Sequence, residues 1–130
     1  VTITALEPSD SRTVELRVAG PAALLTAKAI KISGRLEQAD NRPDRLKEKD
    51  ALDAFRILQA IETPDLVAGF ASHQTDDQAS SATIQAIAIY RAHASTSDGR
   101  IAQLAASAAQ NDPAVAPAFG ALVTDLLAAL

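Results

Sequence analysis

Hydrophobic and polar positions divide the chain into a short alternating region followed by helical periodicity. Val1, Ile3 and Ala5 alternate with Thr2 and Thr4, and Val14, Leu16 and Val18 alternate with Glu15 and Arg17. The turn-forming run Pro8-Ser9-Asp10-Ser11 lies between them. This pattern predicts a two-stranded hairpin with one apolar face. An isolated hairpin is marginal in water, and nothing later in the chain offers a third strand. Two expectations stay open: the hairpin packs on the helices that follow, or it is the last pair of strands of a larger sheet.

From Gly20 to Ile61 the period changes to that of two helices joined by a charged connector. Pro21 suits a first helical turn, because its missing N–H would be unpaired there anyway. Leu25, Ala29, Ile32 and Leu36 then form one apolar stripe, with Lys28, Lys31 and Arg35 as a basic edge beside it. Gly34 weakens this helix by about 1 kcal/mol relative to alanine, so a bend or frayed end is expected there. The connector Asp40 to Lys47 is polar and punctuated by Pro43; Arg42 and Arg45 are phosphate-contact candidates or solvated loop charges. In the second helix, Ala51, Leu52, Ala54, Phe55, Leu58 and Ile61 share one arc, and Lys49, Asp53 and Arg56 cluster opposite. Asp50 falls at the border, where a carboxylate is partly desolvated and its head still faces a cleft. The plainer reading of Lys49, Asp53 and Arg56 is a solvated face with ion pairs one helical turn apart.

Beyond Ile61, short helices with marked starts follow. Thr63-Pro64-Asp65 reads as cap, first-turn proline and first-turn acid for a helix through Leu66, Val67 and Phe70. His73 to Gln78 is a turn, and a helix runs from Ser81 or Ala82 to His93, with Ile84, Ile87, Ala88 and Arg91 on one face. Ser97-Asp98-Gly99 ends it and caps a helix holding Ile101, Leu104, Ala105 and Ala108. Asn111-Asp112-Pro113 opens a last helix with Val115, Phe119, Leu122, Leu126 and Leu130. The fold class expected is mainly α: an N-terminal hairpin over residues 1–19, then a bundle of about five or six helices over residues 20–130.

Composition changes this picture in three ways. Nearly half of the residues are apolar but only four are aromatic, so alanine and the aliphatics must close the core. The net charge of −4 argues against a nucleic-acid-binding surface overall. Eight of the twelve basic residues nevertheless lie between Lys28 and Arg56, the one stretch with a positive excess. The absence of cysteine excludes disulfides and thiolate metal sites. No apolar run reaches a membrane-spanning length, which makes the cytoplasm the expected location. With Val1 in first place and no methionine anywhere, the natural amino terminus is expected to lie elsewhere.

The stretch from Gly20 to Ile61 resembles the back half of the minimal nucleotidyltransferases of the abortive-infection and type IV toxin kind, relatives of the DNA polymerase β superfamily. Pro21, Leu24, Leu25 and Lys28 follow that family's P-x-x-LL-x-x-K helix. Lys49, Asp50, Asp53, Ala54 and Ile57, in KDALDAFRIL, follow its [KR]-D-x-x-D-h-x-x-L helix, with Leu58 the better match to the leucine. The resemblance implies that Lys28 neutralises phosphate charge, that Asp50 organises the site, and that Asp53 supports it. Lys31, Lys49 and Arg56 join them as substrate-binding candidates. It also implies a nucleoside triphosphate as donor, an acceptor such as tRNA or another RNA, and Mg2+ in the complete enzyme. The family's Gly-Ser pair and Asp-x-Asp, which hold the nucleotide and two divalent ions, are absent from these 130 residues. This chain alone is therefore expected to bind no metal and to be inactive, as the carboxy-terminal helical part of such a protein. The alternative from a different class is a non-enzymatic helical module that binds an antitoxin or a second copy of itself through the hairpin's apolar strip and the last helix. His73 with Asp76 and Asp77 matches no standard metal spacing. His93 reads as a surface residue at a helix end, and Tyr90 as packing.

Overall fold

The computed structural model describes residues 1–130, the side chain of Arg45 excepted. Two short strands, β1 (Thr2–Thr4) and β2 (Thr13–Glu15), pair antiparallel with Ile3 opposite Val14. Six helices follow: α1 (Pro21–Gln38), α2 (Glu48–Ala60), α3 (Thr63–Gln74), α4 (Ser80–His93), α5 (Arg100–Ala108) and α6 (Val115–Ala128). A single 3-10 turn, Pro43–Arg45, lies in the connector between α1 and α2. The protein is thus mainly helical with an N-terminal hairpin.

The bundle closes through small residues. Ala22 and Ala29 of α1, Ala51 and Ala54 of α2, Ala86 of α4, and Ala102 and Ala105 of α5 are all buried. Such short side chains let helix axes approach closely. At Gly69 this is quantitative: a Cβ there would stand 2.8 Å from the Cβ of Ala22, so α3 and α1 meet at a glycine–alanine contact. The few large side chains fill what remains. Phe55 of α2 stacks on Phe119 of α6 with ring centroids 5.5 Å apart and planes 16° from parallel. Tyr90 of α4 is buried and donates its hydroxyl hydrogen bond to the Leu25 carbonyl of α1 at 2.6 Å. Burial pushes its phenol well above the ordinary tyrosine range. Its role is packing and helix pairing, as the sequence indicated.

The α1 stripe is where its period puts it: Leu25, Ala29, Ile32 and Leu36 are buried. The helix passes through Gly34 and ends at Gln38, because its buried face continues to Leu36 and packing outweighs the glycine's local cost. Two other expectations are corrected. The α3 cap is Glu62 rather than Thr63, which together with Pro64 already lies in the helix. Of the α4 face expected from Ile84, Ile87, Ala88 and Arg91, only Ile87 is buried; the helix buries Thr83, Ala86, Ile87, Ile89 and Tyr90. This rotation buries the large side chains Ile87, Ile89 and Tyr90 together and lets the Tyr90 hydroxyl bond the Leu25 carbonyl. In α6, Leu126 is buried and Leu122 and Leu127 pack against the core, while Leu130, just beyond the helix, is exposed.

The hairpin is not covered. Val1, Ile3, Val14, Leu16 and Val18 are all exposed, as is Leu6 in the loop that joins the strands. Packing of the hairpin on the helices is therefore not observed.

Candidate functional site

The site is a charged seam along α1 and α2. Lys28, Lys31 and Arg35 recur at steps of three and four, so successive turns of α1 present three cations on one edge. On α2, Asp50 and Asp53 are one turn apart and face them. The pairing runs antiparallel: Lys28 meets Asp53 and Asp50, while Lys31 and Arg35 meet Asp50.

Asp50 is the centre. It is 7% exposed, yet its carboxylate receives three cations. Lys28 Nζ donates to Oδ1 at 2.9 Å, and Lys31 Nζ lies 3.2 Å from Oδ1 and 3.1 Å from Oδ2. Arg35 Nη1 donates to Oδ2 at 2.7 Å. Lys28 also donates to Asp53 Oδ2 at 3.1 Å, and Arg56 Nη1 stands 3.7 Å from Asp53 Oδ1. The seam therefore holds four cations against two carboxylates, an excess of two positive charges.

The protonation states follow from this geometry. Burial penalises the Asp50 carboxylate, but the hydrogen bonds and charges of Lys28 and Lys31 outweigh that penalty and hold its pKa below the ordinary carboxylate value. Burial likewise disfavours the Lys28 ammonium, and Asp50 and Asp53 reverse the effect and raise its pKa above the ordinary lysine value. Both groups are ionised at neutral pH. Asp50 is more enclosed than a border position implies, because its three partners fold over it. Lys31 remains half open, with 49% of its side chain accessible.

Of the residues anticipated from sequence, Lys28, Lys31, Asp50, Asp53 and Arg56 are brought together. Lys49 is not: it is exposed and makes no ion pair with the cluster. One step before Asp50 on a 100° wheel, it points away from α1. Arg35, which the family patterns do not include, joins the cluster through Asp50. The signal was present, since it stands seven residues after Lys28 on the same edge. In the connector, Arg42 is exposed and pairs with Asp44 at 3.3 Å; the side chain of Arg45 lies outside the described residues.

A metal does not fit this arrangement. Among the described residues no group of three or more His, Cys, Asp or Glu converges. Asp50 and Asp53 are opposed by ammonium and guanidinium groups, which a divalent ion would have to displace. Asp76, weighed with His73 and Asp77 as a loop metal cluster, holds the turn before α4, accepting from the N–H groups of Gln78 and Ala79 at 2.8 and 3.1 Å. What the seam can do is receive an anion: its cations are fixed by carboxylates below them and its surplus charge is positive. Among the described residues no helix is long and apolar enough to cross a membrane. No family model, curated protein or solved structure matches the chain.

Proposed function

We propose that the seam is the phosphate-facing wall of a nucleotidyl-transfer site. In this reading the chain is the helical part of a nucleotidyltransferase-like protein that moves a nucleotide from a nucleoside triphosphate to an acceptor such as RNA. The observation that supports it most is the convergence of Lys28, Lys31 and Arg35 on one buried carboxylate. Unassisted, three cations at this spacing repel one another. Asp50 holds them in place and still leaves the seam positive, which is how a protein prepares a fixed electrostatic clamp for a phosphoryl group. Lys28 then neutralises phosphate charge, Asp50 and Asp53 position it, and Lys31, Arg35 and Arg56 extend the clamp. The carboxylates that would hold Mg2+ are supplied from outside these residues, and no step of the reaction is assigned to a metal bound here.

The test is transfer of label from an α-labelled nucleoside triphosphate to RNA by the full-length protein in the presence of Mg2+. Lys28→Ala and Asp50→Ala are each expected to reduce transfer by about a hundredfold or more, the usual loss when a charge-stabilising group is removed. Full activity in both variants would remove the site assignment.

A second reading, a non-enzymatic helical module that binds an antitoxin or another copy of itself, is favoured by one observation. The hairpin exposes Val1, Ile3, Val14, Leu16 and Val18 together, the kind of apolar strip that protein partners cover.

A further inference from the structure

The charged seam continues into an apolar trough. Antiparallel packing puts Leu24, one turn before Lys28 on α1, beside Ile57, one turn after Asp53 on α2. There the surface dips into a depression of about 360 Å³ lined by Pro21, Leu24, Arg56, Ile57, Ala60 and Ile61. Arg56 belongs to both regions: it lines the trough and pairs with Asp53, which pairs in turn with Lys28. Leu24, Lys28, Lys31 and Arg35 lie on one edge of α1, spanning about 16 Å at 1.5 Å per residue. Along that edge the character changes once, from aliphatic to cationic.

We infer that this trough takes the nucleobase of the nucleoside triphosphate whose phosphates lie on Lys28, Lys31 and Arg35, an assignment that rests on the function proposed above. The occupant follows from the order of chemistries. A ligand with a flat, weakly hydrated group at one end and several negative charges at the other matches a surface with the same order. The depression is of small-ligand size. Leu24 is exposed and Ile57 and Ile61 are half-buried, so their side chains offer aliphatic surface without rearrangement of the core. The Arg56 guanidinium is planar and suited to stack on a base while remaining paired to Asp53. Among the residues lining the trough, only Arg56 carries a side-chain hydrogen-bond donor, so the base is held by its faces more than by its edges.

The experiment compares ATP with inorganic tripolyphosphate, each titrated into the intact chain by calorimetry in the absence of divalent metal. Tripolyphosphate reads the seam alone, and the excess affinity of ATP reads the trough. ATP is expected to bind more tightly by about tenfold, the equivalent of burying a modest apolar area. Leu24→Ser, and separately Ile61→Ser, should bring ATP toward the tripolyphosphate value while leaving tripolyphosphate binding unchanged, which also reports that each variant is folded. Equal affinities for the two ligands in the unaltered protein, or ATP binding untouched by both substitutions, would overturn the trough assignment and leave the seam standing. Failure of both ligands to bind would remove the phosphate reading and the trough with it.

Discussion

Asp50 is ionised in a buried position because the hydrogen bonds and charges of Lys28 and Lys31 outweigh the burial penalty, and the consequence is a pH dependence with a definite sign. A carboxyl whose pKa is lowered by folding contributes stability above its unfolded value, about 3.9, and that contribution is lost as pH falls through the lower folded value. Lys28 acts at the other end: its raised pKa contributes below about 10.4 and is lost as pH rises through the folded value. The seam is therefore fully stabilising between these limits. Its cations are partly open to water, so its worth is discounted to about 1 kcal/mol. Urea unfolding of the wild type should weaken between pH 5 and pH 2 more steeply than that of Asp50→Asn, whose side chain cannot titrate. Equal acid limbs in the two proteins would mean that Asp50 gathers no charge. At this scale the sequence was informative about Lys28 and Asp50 and less so about Arg35. Helical spacing shows which residues share an edge, but how many of them one carboxylate collects is set by the distance between two helices.

The two helices differ in what made them readable. Burial in α1 follows a period that Leu25, Ala29, Ile32 and Leu36 state plainly, and Pro21 marks its first turn. In α4 the apolar residues Ile84 and Ala88 point to one face, yet another is buried, because alanine-rich helices carry weak periodicity and the buried face gathers the larger Ile87, Ile89 and Tyr90. Likewise Pro64 is as acceptable at the second helical position as at the first, so the α3 cap fell one residue early. The glycines of α1 and α3 separate local cost from packing. A Cβ at Gly34 would meet nothing within 4 Å, whereas one at Gly69 would press on Ala22. Gly34→Ala should raise stability by about 0.5–1 kcal/mol, and Gly69→Ala should lower it by about 1–3 kcal/mol through overpacking. Thermal denaturation followed by circular dichroism checks both; two shifts of the same sign would contradict the packing described between α1 and α3.

Across the whole molecule, the charge balance and the fold tell different stories. The chain is acidic overall, yet the α1–α2 surface carries a positive surplus, anchored from below and continuous with an apolar trough. That segregation was visible as a concentration of basic residues from Lys28 to Arg56. The trough was not, because Leu24, Ile57 and Ile61 are separated in sequence and become neighbours only when the helices pack antiparallel. The hairpin was legible as a pair of strands from its alternation, and its apolar face was legible too. What alternation does not encode is what the face rests against, and here it is open.

The most direct test of the anion-binding seam is calorimetric titration of the intact chain with inorganic tripolyphosphate at low and moderate salt. Binding should be present, should weaken as salt rises, and should fall by about tenfold in Lys28→Ala and Lys31→Ala while Lys49→Ala, away from the seam, keeps the wild-type affinity. Affinity that is absent in the wild type, or equally reduced by all three substitutions, would contradict the account.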